Sequence, residues 1–241
     1  MALPEQEMVK LPAPRGALAP TNEIPVHWRP STRARRVSMR ICPRAGAVVV
    51  TLPPRTGRRA GLALIRAHEA WVLERLAALS PLVEFAPGAE VLLGGERHVI
   101  RHDPRARGGA FLDGRQIVVT GAREFLRRRV GDFLRVEAKR RIAALAQPHA
   151  DALAVAPRAI RVKDTRSRWG SCAPDGTLAF SWRLVMAPGW VTDYVVAHEV
   201  AHLREMNHSG RFWALVEGLT PHRDAAVEWL RLEGPALLRV G

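Results

Sequence analysis

The sequence is short of cysteine. Cys42 and Cys172 are the two such residues among 241, and they lie far apart. Two thiols are too few for a disulfide framework or an all-cysteine zinc site, and their scarcity fits a reducing compartment. No uninterrupted apolar run approaches the ~18 residues of a membrane-spanning helix. The opening MALPEQEMVK has no apolar stretch after a basic start, so a secretory signal is not expected. Together these absences lead us to expect a cytoplasmic protein with no membrane partner. Lysine is scarce too: Lys10, Lys139 and Lys163 stand among 37 basic residues, against 23 acidic ones. The formal charge of +14 excludes an acidic-tail protein and, taken alone, admits nucleic acid, an anionic membrane or phosphate-bearing substrates as partners. Arginine in place of lysine beside abundant alanine is also the usage of a GC-rich genome, so the plainer reading is a solvated basic surface. Internal repeats and low-complexity tracts are not evident.

What is present is ordinary globular material. The chain is 47% hydrophobic and long enough to bury a core without covalent staples. Residues 1–22, rich in Pro, Ala and Gly, read as a disordered lead. Val37, Met39 and Ile41 alternate with polar neighbours, and Cys42–Gly46 is a turn signal before Ala47–Leu52, which predicts a β-hairpin. A helix is expected over 58–79, closed by Pro81. Short strands follow at Glu90–Leu93, Arg97–Arg101 and Gln116–Thr120, separated by Gly-Gly and Asp-Gly turns. A long basic helix is expected over 122–145, closed by Gln147-Pro148. Strands at Ile160–Val162 and Thr177–Leu184 precede helices over 192–206, 209–217 and 223–238. The fold class is α+β, with a β-rich N-terminal subdomain over 23–121 and a helix-dominated region over 122–241.

One motif carries chemistry. His198-Glu199-Val200-Ala201-His202 is H-E-x-x-H, placed on a predicted helix after the apolar Tyr194–Ala197. At about 100° per residue, the two imidazoles project from one face about a turn apart, suited to one tetrahedral Zn²⁺. Glu199 stands beside the first ligand as a proton acceptor for a metal-activated water. A catalytic zinc needs a third protein ligand. His208 is the nearest candidate, and it can join only if the helix ends first. Asn207 as a left-handed helix end and Ser209 as the next cap offer that break. Glu217, Asp224 and Glu228 stay open as alternatives, and His222 reads as a surface histidine.

Several blocks resemble a known family. They are Arg166-Ser167-Arg168-Trp169-Gly170-Ser171-Cys172, Trp182-Arg183-Leu184, Pro188, Tyr194–Leu203, Asn207-His208-Ser209 and Phe212-Trp213, with Arg35–Arg40 near the start. In order and spacing these are similar to the YgjP-like metallopeptidases, bacterial zincin-fold proteins related to the SprT and WLM proteases. The resemblance covers roughly residues 30–235. It implies a zincin-like core, His198, His202 and His208 as zinc ligands, and Glu199 as catalytic base. Ser181 departs from the pattern, which often has Asn before Trp-Arg-Leu.

Other residues carry two readings each. Arg166, Arg168 and Tyr194 are candidate substrate-binding groups, by lining a groove or donating to an oxyanion. Tyr194 reads more simply as core. Trp169-Gly170 reads first as packing and a turn, Cys172 as a buried inert thiol, and Phe212 and Trp213 as packing behind the third ligand. The expected function is a zinc-dependent hydrolase of peptide or protein substrates. A metal-dependent nucleotide pyrophosphohydrolase and a DNA-associated protease are the alternatives, so a nucleotide or nucleic acid partner stays open.

Overall fold

The computed structural model describes residues 6–11, 22–165 and 168–241. The chain divides into two compact units, Met1–Pro81 and Leu82–Gly241. The first holds strands β1 (Gln6–Leu11), β2 (Asn22–Pro30), β3 (Ser38–Cys42) and β4 (Ala47–Leu52), then helices α1 (Arg58–Ala67) and α2 (Glu69–Ala77). Its sheet has the order β1-β2-β4-β3. The β3–β4 pair is the expected hairpin, with Ile41 opposite Val48 and Met39 opposite Val50.

Part of the stretch read as a disordered lead is strand. In β1 the alternation that sends Val9 and Leu11 inward is only four residues long, too short to register against the Pro- and Ala-rich neighbourhood. The remainder of that lead, 1–5 and 12–21, lies outside the described residues. The helix expected over 58–79 is broken at His68, whose φ of −125° and ψ of 30° are non-helical. The faces of α1 and α2 bury Gly61, Ile65 and Val72 against the sheet's Trp28, Val48 and Val50.

The second unit opens with β5 (Glu90–Leu93), β6 (Glu96–Asp103), β7 (Ala110–Asp113) and β8 (Gln116–Thr120). Their order, β5-β6-β8-β7, repeats that of the first sheet, and in both the second and fourth strands pair parallel. The short matching runs Val48-Val49-Val50-Thr51 and Ile117-Val118-Val119-Thr120 occupy the equivalent strands. This topological repeat was not evident in the sequence. The division at Pro81 differs from the expected one at 121/122. Val91, Leu93, Ile100, Ile117 and Val119 belong to the same core as Val130 and Leu134 of the following helix, so the sheet falls with the C-terminal unit.

That helix, α3 (Leu126–Ala152), buries Leu126, Val130, Leu134, Ala138, Ile142, Ala146 and Ala150, a strict four-residue repeat. Such a stripe drifts by ~40° per step around a 3.6-residue helix. One helix therefore meets successive partners, among them β8 and the helix over 189–201. Pro148 does not close it. The ring forfeits a hydrogen bond to Ala144, but the helix continues one turn to Ala152.

β9 (Ala159–Lys163), β10 (Gly170–Cys172) and β11 (Thr177–Ser181) form a three-stranded sheet of order β10-β11-β9. A 3₁₀ segment, Trp182–Met186, replaces the last residues of the expected strand. Then come α4 (Gly189–Ala201), α5 (Gly210–Leu219), α6 (Arg223–Leu232) and α7 (Gly234–Leu237). The α+β class, with a β-rich N-terminal region, is as expected. No helix of the described residues is long and apolar enough to cross a membrane.

Candidate active site

The site begins with α4, which is apolar nearly all round. It buries Val191, Thr192, Tyr194–Ala197, Glu199, Val200 and Ala201, the signature of a helix driven through a core. It starts three residues before the expected Thr192 cap. The Thr192 hydroxyl instead donates to the Leu184 carbonyl at 2.9 Å. His198 and His202, one turn apart, hold their rings 5.0 Å centre to centre.

The helix stops at Ala201 rather than near Met206, and this stop lets His208 return. Asn207 does not take a left-handed conformation. Its Oδ1 accepts the Ser209 N–H at 3.0 Å, and the Ser209 hydroxyl caps α5 by accepting from Phe212 N–H at 3.4 Å. His208 Nε2 then lies 3.2 Å from His198 Nε2. One nitrogen from each of His198, His202 and His208 falls within 4.8 Å of the others. Glu217, Asp224 and Glu228 are not part of this group. Glu217 pairs with Arg223, and Glu228 with Arg231.

The donors suit a metal. Zn–N bonds of 2.0–2.1 Å set a tetrahedral N···N edge of about 3.3 Å, close to the 3.2 Å separation of His198 and His208. His202 Nδ1 faces the Glu205 carbonyl at 3.0 Å. A carbonyl only accepts, so this nitrogen carries the proton and Nε2 is bare toward the cleft. Burial, then the neighbouring His202 and His208, push His198 down to about 4. Burial likewise lowers His202, against a raising hydrogen bond to Glu205. Both rings are neutral at neutral pH, as metal ligation requires. His198 Nδ1 is buried with no hydrogen-bond partner among the described residues.

Phe212 is the floor of the cluster. It is fully buried, stacks on His202 at 4.4 Å and meets His198 and His208 edge-on at 4.9 and 4.8 Å. Trp213 stacks on His208 at 5.7 Å and carries the Arg223 guanidinium on its ring at 4.0 Å. Sequence reasoning singled out the two aromatics but missed Arg223, which lies on another helix with no local signal.

Glu199 is 6% exposed. Burial pushes its carboxyl up to about 7, against the lowering effects of Arg168 and of a hydrogen bond from the Cys172 backbone N–H. It lies against β10, where a Cβ on Gly170 would sit 2.5 Å from both Glu199 Cγ and Oε1. Gly170 therefore admits the carboxylate, rather than serving a turn as expected. Trp169 packs against the core and beside Gly234.

A cleft of about 360 Å³ is lined by Arg168, Gly170, Ser171, Cys172, His198, Glu199, His202, Met206 and His208. Arg168 is thus at the site, and Arg166 lies outside the described residues. Tyr194 is not among the lining residues. It is 7% exposed, with its ring edge-on to His198 at 6.0 Å. Cys172 is half-buried and faces the cleft. Burial raises its thiol, with Glu199 and Asp175 adding to the effect, so it is protonated at neutral pH. Ser181 is fully buried at the end of β11 and does not line the cleft. The exposed Met206 and the neighbouring Ser171 were not foreseen. Met206 adds an apolar side chain to the cleft lining.

No curated protein matches the sequence significantly. Two solved structures cover 39% of the chain: the metallopeptidase zymogen of Pyrococcus abyssi abylysin and that of Methanocaldococcus jannaschii jannalysin. They are 22% and 16% identical, with TM-scores of 0.34 and 0.33 over 92% and 88% of their own chains. A family model, YgjP-like, metallopeptidase domain, matches residues 36–233. That span includes the histidine cluster, Glu199 and the sheet beside them, and the chain belongs to the YgjP-like metallopeptidase family.

Proposed function

We propose that this metallopeptidase hydrolyses peptide bonds with zinc held by His198, His202 and His208 and with Glu199 as general base. The observation that carries the reading is the convergence of three imidazole nitrogens and one buried carboxylate on a single cleft. A bound zinc would supply Lewis acidity toward the scissile carbonyl and the attacking water. The protein's own groups do the rest. Bare imidazole nitrogens hold the ion, and the Phe212 and Trp213 rings hold the imidazoles. The Glu199 carboxylate accepts the water's proton and returns it to the leaving amine. Without a metal, burial holds that carboxyl up at about 7; a bound dication beside it would favour the ionised form that a general base needs.

Arg168 is exposed at the cleft mouth, where it can orient a substrate carbonyl or carboxylate. Tyr194, its ring against His198, acts as a positioning residue for that ligand rather than as an oxyanion donor. Among the described residues of the cleft Arg168 is the one cation, which favours a peptide over a polyphosphate substrate. The test is Glu199→Gln assayed on casein and peptide panels beside a nucleotide panel. The expected result is peptide hydrolysis by the wild type, loss of at least ~100-fold in the variant, and retained metal. Full peptide turnover by the variant, or hydrolysis of nucleotides alone, overturns the reading.

A further inference from the structure

The sheet that supports Glu199 has two edges. One is β10, at the cleft. The other is β9, about 10 Å away across two strand spacings. β9 pairs only through β11, in parallel, with Ile160 opposite Leu178 and Val162 opposite Phe180. Its second edge has no strand neighbour among the described residues.

That edge is not flush with the surface. It borders a groove of about 550 Å³ lined by the continuous run Ile160-Arg161-Val162-Lys163 and by Arg135, Val136 and Lys139 of α3. Arg135, Val136 and Lys139 stand on one side of that helix, and Val136 is 66% exposed. Three apolar side chains and four cations thus share one groove. Arg135 pairs with Asp132, while the ion pairs of the described residues do not involve Lys139, Arg161 or Lys163. Two of the chain's three lysines are here.

Two chemistries are attracted by such a surface, and the strand edge separates them. A free edge presents both N–H donors and C=O acceptors. Phosphodiester oxygens only accept, so a nucleic acid backbone offers no donors to the edge carbonyls. An extended polypeptide satisfies both sets and places alternate side chains toward Val136, Ile160 and Val162. The charge then selects a peptide rich in Asp and Glu.

We infer that the groove between α3 and the free edge of β9 binds an extended acidic peptide segment by strand addition, at a site separate from the metal cleft. Binding here needs no catalysis, so it stands or falls independently of the hydrolytic reading.

The test uses the full chain and a fluorescein-labelled peptide of alternating glutamate and valine. Fluorescence anisotropy should show saturable binding that weakens as salt rises. Lys139→Glu combined with Lys163→Glu, and separately Val136→Asp, should weaken it about tenfold or more. All three positions are solvent-exposed, and an unchanged circular dichroism spectrum verifies the fold. The same peptide N-methylated at alternate residues keeps its charge but loses N–H donors, and it should bind at least about tenfold more weakly. Three outcomes overturn the inference. They are no saturable binding at low salt, equal binding of the N-methylated peptide, or tighter binding of a single-stranded DNA oligonucleotide lost in the same variants. The first would leave Arg161 and Lys163 as charges that merely guard a sheet edge.

Discussion

Glu199 and Gly170 face each other so closely that a single methyl group decides whether both fit. Gly170→Ala would bring its Cβ to 2.5 Å from the Glu199 carboxyl group. The carboxylate must then move, and if Glu199 is the general base proposed above, a displacement near 1 Å costs on the order of 100-fold in rate. The expected outcome is a kcat loss of about that size with metal content unchanged, measured by steady-state kinetics and elemental analysis. Phe212 acts on the other side of the cluster. Phe212→Ala removes a fully buried ring that contacts all three histidines. It should destabilise the fold by about 3–5 kcal/mol in denaturant titration and weaken metal binding, whereas Phe212→Leu should restore most of the stability. These residues differ in legibility. H-E-x-x-H announces itself because ligand spacing and helix period coincide. Gly170 does not, because its requirement comes from a side chain 29 positions later in the chain. Arg223 is silent for the same reason.

Elements were legible where their pattern is long. β3 follows from alternation, β4 and β8 from continuous apolar runs bounded by turn signals, and α3 from its helical stripe. β10 is three residues with no alternation to read, and β7, largely exposed, has no buried face to signal it. The start of α4 was misplaced because Thr192 resembles a cap, while Pro188 already opens the helix. The end of α3 was misplaced because contacts from outside the helix carry it one turn past a proline that locally opposes it. What holds that last turn is a clamp between elements. His149 of α3 donates through Nε2 to Asp193 of α4 at 2.7 Å, and the Thr220 hydroxyl donates to the same carboxylate at 2.6 Å. Burial alone would raise the Asp193 carboxyl. The bonds from His149 and Thr220, with the nearby charges of His149 and His222, outweigh it and hold the carboxyl below its ordinary value. A depressed carboxyl adds stability that is present above the unfolded value of about 3.9 and is lost as pH falls through the folded one. Asp193→Asn should therefore be less stable than the wild type at pH 7, by about 1.5–3 kcal/mol. The gap should close below about pH 4. Equal stabilities at pH 7, by calorimetry or denaturant titration, would dismiss the clamp.

At the scale of the molecule, the sheets of the two units share one strand order, and the described histidine cluster lies in the second unit. The first has a tight internal seam at Gly61, where an added Cβ would meet the Trp28 ring at 2.5 Å and Val50 at 2.9 Å. Gly61→Ala should cost about 1–3 kcal/mol by overpacking and leave metal affinity intact, a separation visible by comparing thermal melts with metal titration. The charge of +14 is spread over both units. Two of the three acidic groups of α3 are already shared with arginines: Asp132 by Arg128 and Arg135, and Glu137 by Arg140 and Arg141. Exposed pairs of this kind contribute little to stability. The net charge thus bears on what approaches the surface, while the proposed chemistry rests on a few neutral rings and one carboxyl. That division is tested most directly by zinc affinity, measured by chelator competition on the wild type, His198→Ala, His202→Ala, His208→Ala and Glu199→Gln. The account predicts a single tight zinc per chain in the wild type and in Glu199→Gln, and at least ~100-fold weaker binding in each histidine variant. Wild-type affinity in His208→Ala, or loss of zinc in Glu199→Gln, would contradict it.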